Sequence, residues 1–238
     1  MSPNRHARDL RAVTRDVIAC ERCPRLRAYC LSVARTRRAA FRDEAYWGKP
    51  VPGFGDPEAW LFVVGLAPAA HGGNRTGRIF TGDRSGDWLY GELYRQGFSN
   101  RPESRRAHDG LEVRGVYIAA AARCAPPGNR PLPVELERCR EYLVREMAAL
   151  PNRRVILALG RIAFDAALRA REALGSAPLR PKPPFGHGAI AALPEGGWLL
   201  ASYHPSQQNT STGTLTVPMW RQVFTTARRL RERGKVGP

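Results

Sequence analysis

The sequence predicts a three-layer α/β/α fold built on a central four-stranded parallel sheet, and three observations carry that expectation. Four short apolar runs, Ala59–Gly65 (AWLFVVG), Val116–Ala122 (VYIAAAA), Val155–Gly160 (VILALG) and Trp198–Tyr203 (WLLASY), are continuous rather than alternating. Strands covered on both faces read in that way. Helical apolar spacing fills the intervals between them, which is the alternation of a parallel sheet. A chain of 238 residues is long enough to bury such a core.

Residues 1–57 differ from the rest. A basic helix over roughly Ala7–Ala19 leads into Cys20 and Cys23, and the remainder is rich in Arg and Pro without a clear strand. Its apolar periodicity is too sparse to fold alone, so it is expected to be tied by a metal clamp onto a chain that forms one domain over 1–238. Beyond the first strand, Trp88, Leu89 and Leu93 predict a helix at Ser85–Gln96. Leu136, Leu143 and Met147 predict one at Val134–Leu150, and Ile162, Phe164 and Leu168 one at Arg161–Leu174. The last helix, Pro218–Arg233, opens with proline in its first turn and closes at Gly234. Ser99–Gly115 and the Pro-rich Ser176–Gly188 read as loops.

Thirty-eight Lys+Arg against 21 Asp+Glu give a formal charge of +17, and Lys49, Lys182 and Lys235 are the only lysines. A chain this basic should bind polyanions with an affinity that falls as salt rises, and arginine is the better phosphate fork. There is no run of 18 apolar residues and no apolar leader at the N-terminus, which points to a protein of the cytoplasm without a membrane partner. In that reducing compartment, Cys20-x-x-Cys23 and Cys124-x14-Cys139 read as metal ligands rather than disulfides. Spacing alone admits either zinc or an iron–sulfur cluster. Cys30 reads as a substitute ligand or a packed thiol.

The carboxyl ends of three predicted strands carry the polar residues: GLAPAAHGGNRTGRIFTGDRSG (65–86), RCAPPGNRP (123–131) and HPSQQNTSTGTLT (204–216). In an open parallel sheet those ends share the edge where ligands bind. The first loop has neither a GxGxxG nor a GxxxxGK[ST] pattern, so no nucleotide cofactor is indicated. Its candidates are His71, Arg75, Arg78 and Asp83, the last equally readable as a helix N-cap. Phe80 reads either as a core anchor or as a stacking platform for a flat base. Asn129 is a turn residue or an amide that reads a base edge, and His204 stands at a strand end facing the ligand edge.

Together these three loops and four cysteines resemble the uracil-DNA glycosylase superfamily, and within it the iron–sulfur branch called family 5, type b. The resemblance runs from about Cys20 to the last helix. It implies hydrolysis of the N-glycosidic bond of uracil in DNA after base flipping, and the small alanine pair Ala69-Ala70 of the first loop extends the expected range to other deaminated bases. It also implies a structural 4Fe-4S cluster on Cys20, Cys23, Cys124 and Cys139. His204 would stabilise the leaving base, Asn129 would read its edge, Phe80 would stack on it, and Ala67, Ala69 and His71 would line the pocket. Pro68 is followed by Ala69-Ala70-His71, with no carboxylate where other branches orient water, so Asp83 is carried as the water-positioning candidate. Arg75, Arg78 and Arg130 would contact phosphates, and Leu215 would enter the duplex as a wedge. The three loops hold no lysine, which argues against Schiff-base lyase chemistry. The implied enzyme is a monofunctional monomer associated with the nucleoid. Two alternatives stand beside it: a non-catalytic binder of damaged DNA on the same fold, and a zinc-stabilised RNA-binding or nuclease domain.

Overall fold

The computed structural model of the chain describes residues 3–233. The four apolar runs form β2 (Leu61–Gly65), β3 (Val116–Ala120), β4 (Val155–Leu159) and β6 (Trp198–Ser202), all parallel to one another. Two short antiparallel strands, β1 (Phe54–Gly55) and β5 (Ile190–Ala192), extend the sheet to six in the order β1-β3-β2-β4-β6-β5. At two and three residues, neither edge strand carries a readable periodicity.

The helices are α1 (Pro3–Ile18), α2 (Pro24–Thr36), α3 (Gly73–Thr76), α4 (Arg84–Arg95), α5 (Pro133–Ala148), α6 (Arg161–Ala173), α7 (Gln207–Ser211) and α8 (Val217–Arg233). Alternation within the strands divides the core in two. Leu61, Val63, Val116, Ile118, Val155 and Leu157 pack with Leu89 and Leu93 of α4 and Trp220 and Phe224 of α8. Phe62, Val64, Ala119, Ile156 and Ala158 pack on the opposite face with Leu143 and Met147 of α5 and Phe164 and Leu168 of α6. This is the three-layer arrangement expected. Gly234, read as closing the last helix, lies outside the described residues.

The N-terminal segment corrects one expectation. It contains a helix the sequence reading missed, α2, which buries Leu26, Cys30 and Val33 on one face. It is also held by more than cysteines. Leu10, Val13 and Val17 of α1 are buried in the clusters containing Tyr142, Leu143 and Met147 of α5. Ion pairs Asp16–Arg145 (2.6 Å), Arg22–Glu141 (2.5 Å) and Arg25–Glu135 (2.7 Å) tie α1, the turn that follows it and α2 to α5. No helix among the described residues is long and apolar enough to cross a membrane.

Candidate active site

The chain leaves β2 toward β3 on one side and leaves β4 toward β6 on the other, so a crevice opens at the carboxyl ends of the adjacent β2 and β4. The loops after β2 and β3 are joined at their base, where the N–H groups of Ala121 and Ala122 donate to the carbonyls of Gly65 and Leu66 (both 2.9 Å). The loop after β2 then turns back over the crevice. Phe80 is buried, held at φ 52°, with its ring against the backbone of Gly65. A Cβ on Gly65 would lie 2.7 Å from that ring, so only glycine fits at the end of β2. Phe80 also meets His204, with ring centroids 5.8 Å apart and planes 26° from parallel. The first and third loops, more than a hundred residues apart in sequence, are brought together by this stack.

His204 follows β6 and Tyr203 directly. Asn209 donates from Nδ2 to the His204 carbonyl (2.9 Å), and Ser206 caps α7 by accepting the Asn209 N–H (3.2 Å). His187, from the Pro-rich loop, accepts the Tyr203 N–H at Nδ1 (3.3 Å). The backbone on either side of His204 is therefore fixed by side chains of two loops, and neither Asn209 nor His187 was singled out from sequence. His187 offered no signal there, since its partner is a backbone amide 16 residues away. Burial pushes the His204 imidazole down to about 4, so it is neutral at physiological pH.

Asp83 is the N-cap of α4: its Oδ1 accepts the Gly86 N–H (3.0 Å), while Oδ2 presses on the backbone of Gly72. Burial raises its carboxyl above the usual range. His71, next to Gly72, meets the Tyr46 hydroxyl at Nδ1 (3.0 Å), and its basicity is lowered by burial and by Arg38 and Arg75. Ala67 and Ala69 are half-buried, and the Ala69 carbonyl accepts the N–H groups of Gly72 (3.2 Å) and Asn74 (3.0 Å) to close the turn.

Three expected DNA contacts are corrected. Arg75 is buried, with its guanidinium on Glu44, the His71 carbonyl (2.8 Å) and the Gly82 carbonyl (3.1 Å). Arg78 is buried against Asp109 (2.7 Å), Ser104 (2.7 Å) and Thr81 (3.0 Å). Both cations are buried and paired with carboxylates, and they brace the loop from inside instead of projecting toward a phosphate. Leu215 is wholly buried in the core with its N–H on the Asn209 carbonyl (2.9 Å), so it anchors the third loop rather than projecting from it. The exposed part of that loop is Gln207, Gln208 and Ser211–Thr214. Arg130 is exposed, as are Arg38, Arg84 and Arg161 in the segments bordering the crevice. Asn129 is exposed at the tip of the second loop, in the left-handed region at φ 57°.

The four cysteines come from the end of α1, the N-cap of α2, the loop after β3 and the middle of α5. They gather closely enough that Cys20 and Cys23 raise the Cys139 thiol, and Cys139 raises that of Cys124. Burial is the main cause for Cys139, which is pushed up to about 11, and for Cys23; for Cys124 it is the contact with Cys30. Among the described residues no three His, Cys, Asp or Glu side chains close on a single ion-sized point. The set is all sulfur, with Cys23, Cys124 and Cys139 buried and Cys20 half-buried. That donor chemistry suits a thiolate-bound centre wider than one ion.

Comparison with known proteins adds to this geometry. The sequence model of the family described as "Uracil DNA glycosylase superfamily" matches residues 52–227. A type-5 uracil-DNA glycosylase of Thermus thermophilus is 51% identical over 222 residues, covering 93% of this chain and 98% of that protein. A type-5 uracil-DNA glycosylase of Mycobacterium bovis is 49% identical over 215 residues, covering 90% of this chain and 79% of that protein. One of Pyrobaculum aerophilum is 46% identical over 208 residues, covering 87% of each chain.

Proposed function

This chain belongs to the uracil DNA glycosylase superfamily, and from that premise we propose how its three convergent loops do the family's chemistry. The protein is a DNA-repair glycosylase that removes uracil from DNA by hydrolysing the N-glycosidic bond. Relatives at about this similarity are named as glycosylases, which displaces the reading as a non-catalytic damage binder. The observation that carries the mechanism is the Phe80–His204 stack at the head of the crevice.

As the glycosidic bond stretches, the sugar gains positive charge and the departing base becomes an anion. The enzyme must stabilise that anion without first protonating it. A half-buried, neutral His204 does so by donating its ring N–H to a base carbonyl, a contact that strengthens as charge develops and contributes about 3–4 kcal/mol. Asn209 and His187 keep the backbone, and hence the ring, in place before the base arrives. Phe80 stacks on the flipped base, Asn129 reads its polar edge, and Ala67, Ala69 and His71 line the pocket. The small Ala69-Ala70 pair leaves room for deaminated purines. Asp83, already near Gly72, positions the water. The exposed tip of the third loop, in place of Leu215, fills the gap in the duplex, and Arg38, Arg84, Arg130 and Arg161 meet phosphates. The enzyme works as a monomer on nucleoid DNA in the cytoplasm.

Cys20, Cys23, Cys124 and Cys139 would hold a 4Fe-4S cluster whose contribution is structural, joining α1 and α2 to the second loop and α5. Purified protein is expected to be brown, and Cys139→Ser to lose the visible absorbance together with thermal stability. A colourless wild-type protein that retains zinc would overturn this assignment. The excision reading is tested by incubating the protein with a G·U duplex and then alkali, which should cut the strand at uracil. Without alkali the strand should stay intact, because the loops supply no lysine for lyase chemistry.

A further inference from the structure

A second cleft opens beside the first loop. It has a volume of about 640 Å³ and is walled by Tyr46, Trp47 and Phe54 from the N-terminal segment and by Ala107 and His108 from the loop between α4 and β3. Three features separate it from an ordinary surface depression. Its aromatic rings are only partly buried, leaving ring surface open to a ligand. No carboxylate is among its lining residues. Lys49 and His108 are exposed at it, and neither is paired with a carboxylate among the described residues.

The cleft is also joined to the crevice. Tyr46 lies in its wall and bonds His71 of the first loop (3.0 Å), with the two rings edge to face. Trp47 packs over Gly77, where a Cβ would lie 3.0 Å from the indole, and its N–H is held by the Pro50 carbonyl (3.1 Å). The ring is thus fixed in position, and Lys49 Nζ stands 5.7 Å from its centroid. Tyr46, Trp47 and Lys49 precede residue 52, where the match to the superfamily begins, and the rest of the wall lies within it.

Fixed aromatic faces with an unpaired lysine, an exposed imidazole donor and no acid are the chemistry of a site for unpaired nucleotides: bases stack on the rings and the backbone meets Lys49. We propose that this cleft binds single-stranded DNA, holding an unpaired nucleotide of the strand whose lesion occupies the crevice. The proposal rests on the glycosylase reading for the identity of that strand. A duplex cannot use it, because paired bases do not present free faces to rings in a cleft.

The test uses a short, uracil-free oligothymidylate and the full chain. Placing two carboxylates in the cleft, Lys49→Glu with His108→Glu, is expected to weaken oligothymidylate binding about tenfold by anisotropy. Uracil release from a G·U duplex should stay within about twofold, which also shows that the variant folds. Oligothymidylate should quench tryptophan fluorescence in the wild type, and Trp47→Phe should abolish that change. Unchanged oligothymidylate affinity in the double variant, an equal loss on duplex DNA, quenching that persists without Trp47, or tighter binding of oligouridylate RNA would each overturn the proposal. Failure of the glycosylase reading is distinguishable, since it appears as no uracil release from any duplex while the uracil-free binding assay still reads the cleft.

Discussion

Replacing His204 with alanine should lower the single-turnover rate of uracil release from a G·U duplex by about 10²–10³-fold, the cost typical of removing one oxyanion donor. The affinity for uracil-containing DNA should change far less, because the ring acts on charge that exists only as the bond breaks. The fold should survive the change, since His204 is half-buried and its backbone is held independently by Asn209 and His187. The pH dependence separates this role from general acid catalysis. Burial lowers the imidazole from its ordinary value to about 4, so the neutral donor persists as pH falls through 6.5. Wild-type rate should therefore show no inflection near 6.5 that His204→Ala removes. The same depression has a stability consequence: the unfolded chain binds this proton first, so the His204 contribution is complete above pH 6.5. It is lost progressively as pH falls toward 4. A variant that releases uracil at the wild-type rate would sink the mechanism.

The largest stability effect should come from Glu146→Ala, at about 3–5 kcal/mol, because it strands a buried charge. Arg123 and Glu146 are each only 1% exposed and meet through two bonds of 3.0 and 2.5 Å. The Tyr117 hydroxyl (3.4 Å) and the Gly53 N–H (3.2 Å) also donate to the same Glu146 oxygen. Deleting the carboxylate leaves a cation, a hydroxyl and an amide without their acceptor, all inside the fold. Urea denaturation should show the loss as a lower midpoint, and the double variant Arg123→Met/Glu146→Leu should recover much of it by removing the orphaned charge as well. A double variant no more stable than Glu146→Ala would contradict that account. The pair lies where the second pair of cysteines sits: Arg123 immediately precedes Cys124, and Glu146 is two turns beyond Cys139 on α5. Its loss should also loosen the hold on any centre those thiols bind.

The comparison of sequence with structure divides along the range of the interactions involved. β2, β3, β4 and β6 were legible because a strand buried on both faces must be apolar throughout, whatever its partners. Glycine at the end of β2 and an acid at the start of α4 were legible for similar reasons of local geometry. The face of α2 escaped because Leu26, Cys30 and Val33 are interrupted by Arg25, Arg27 and Arg35. Arg27 is itself buried against Glu21 and the Gly48 carbonyl, which apolar spacing cannot anticipate.

By itself the sequence determined the layer architecture, the meeting of three polar loops at one sheet edge, and the strand-end position of His204. These follow from periodicity and chain order, which are local properties. Only the tertiary structure decided how individual side chains are used. Arg75, Arg78 and Leu215 looked available for DNA, yet Glu44, Asp109 and the core claim them across tens of residues of chain. A cation or an apolar residue in a loop is free or committed according to what folds against it. For the same reason, the Phe80–His204 stack and the gathering of the four thiols exist only once distant segments have met.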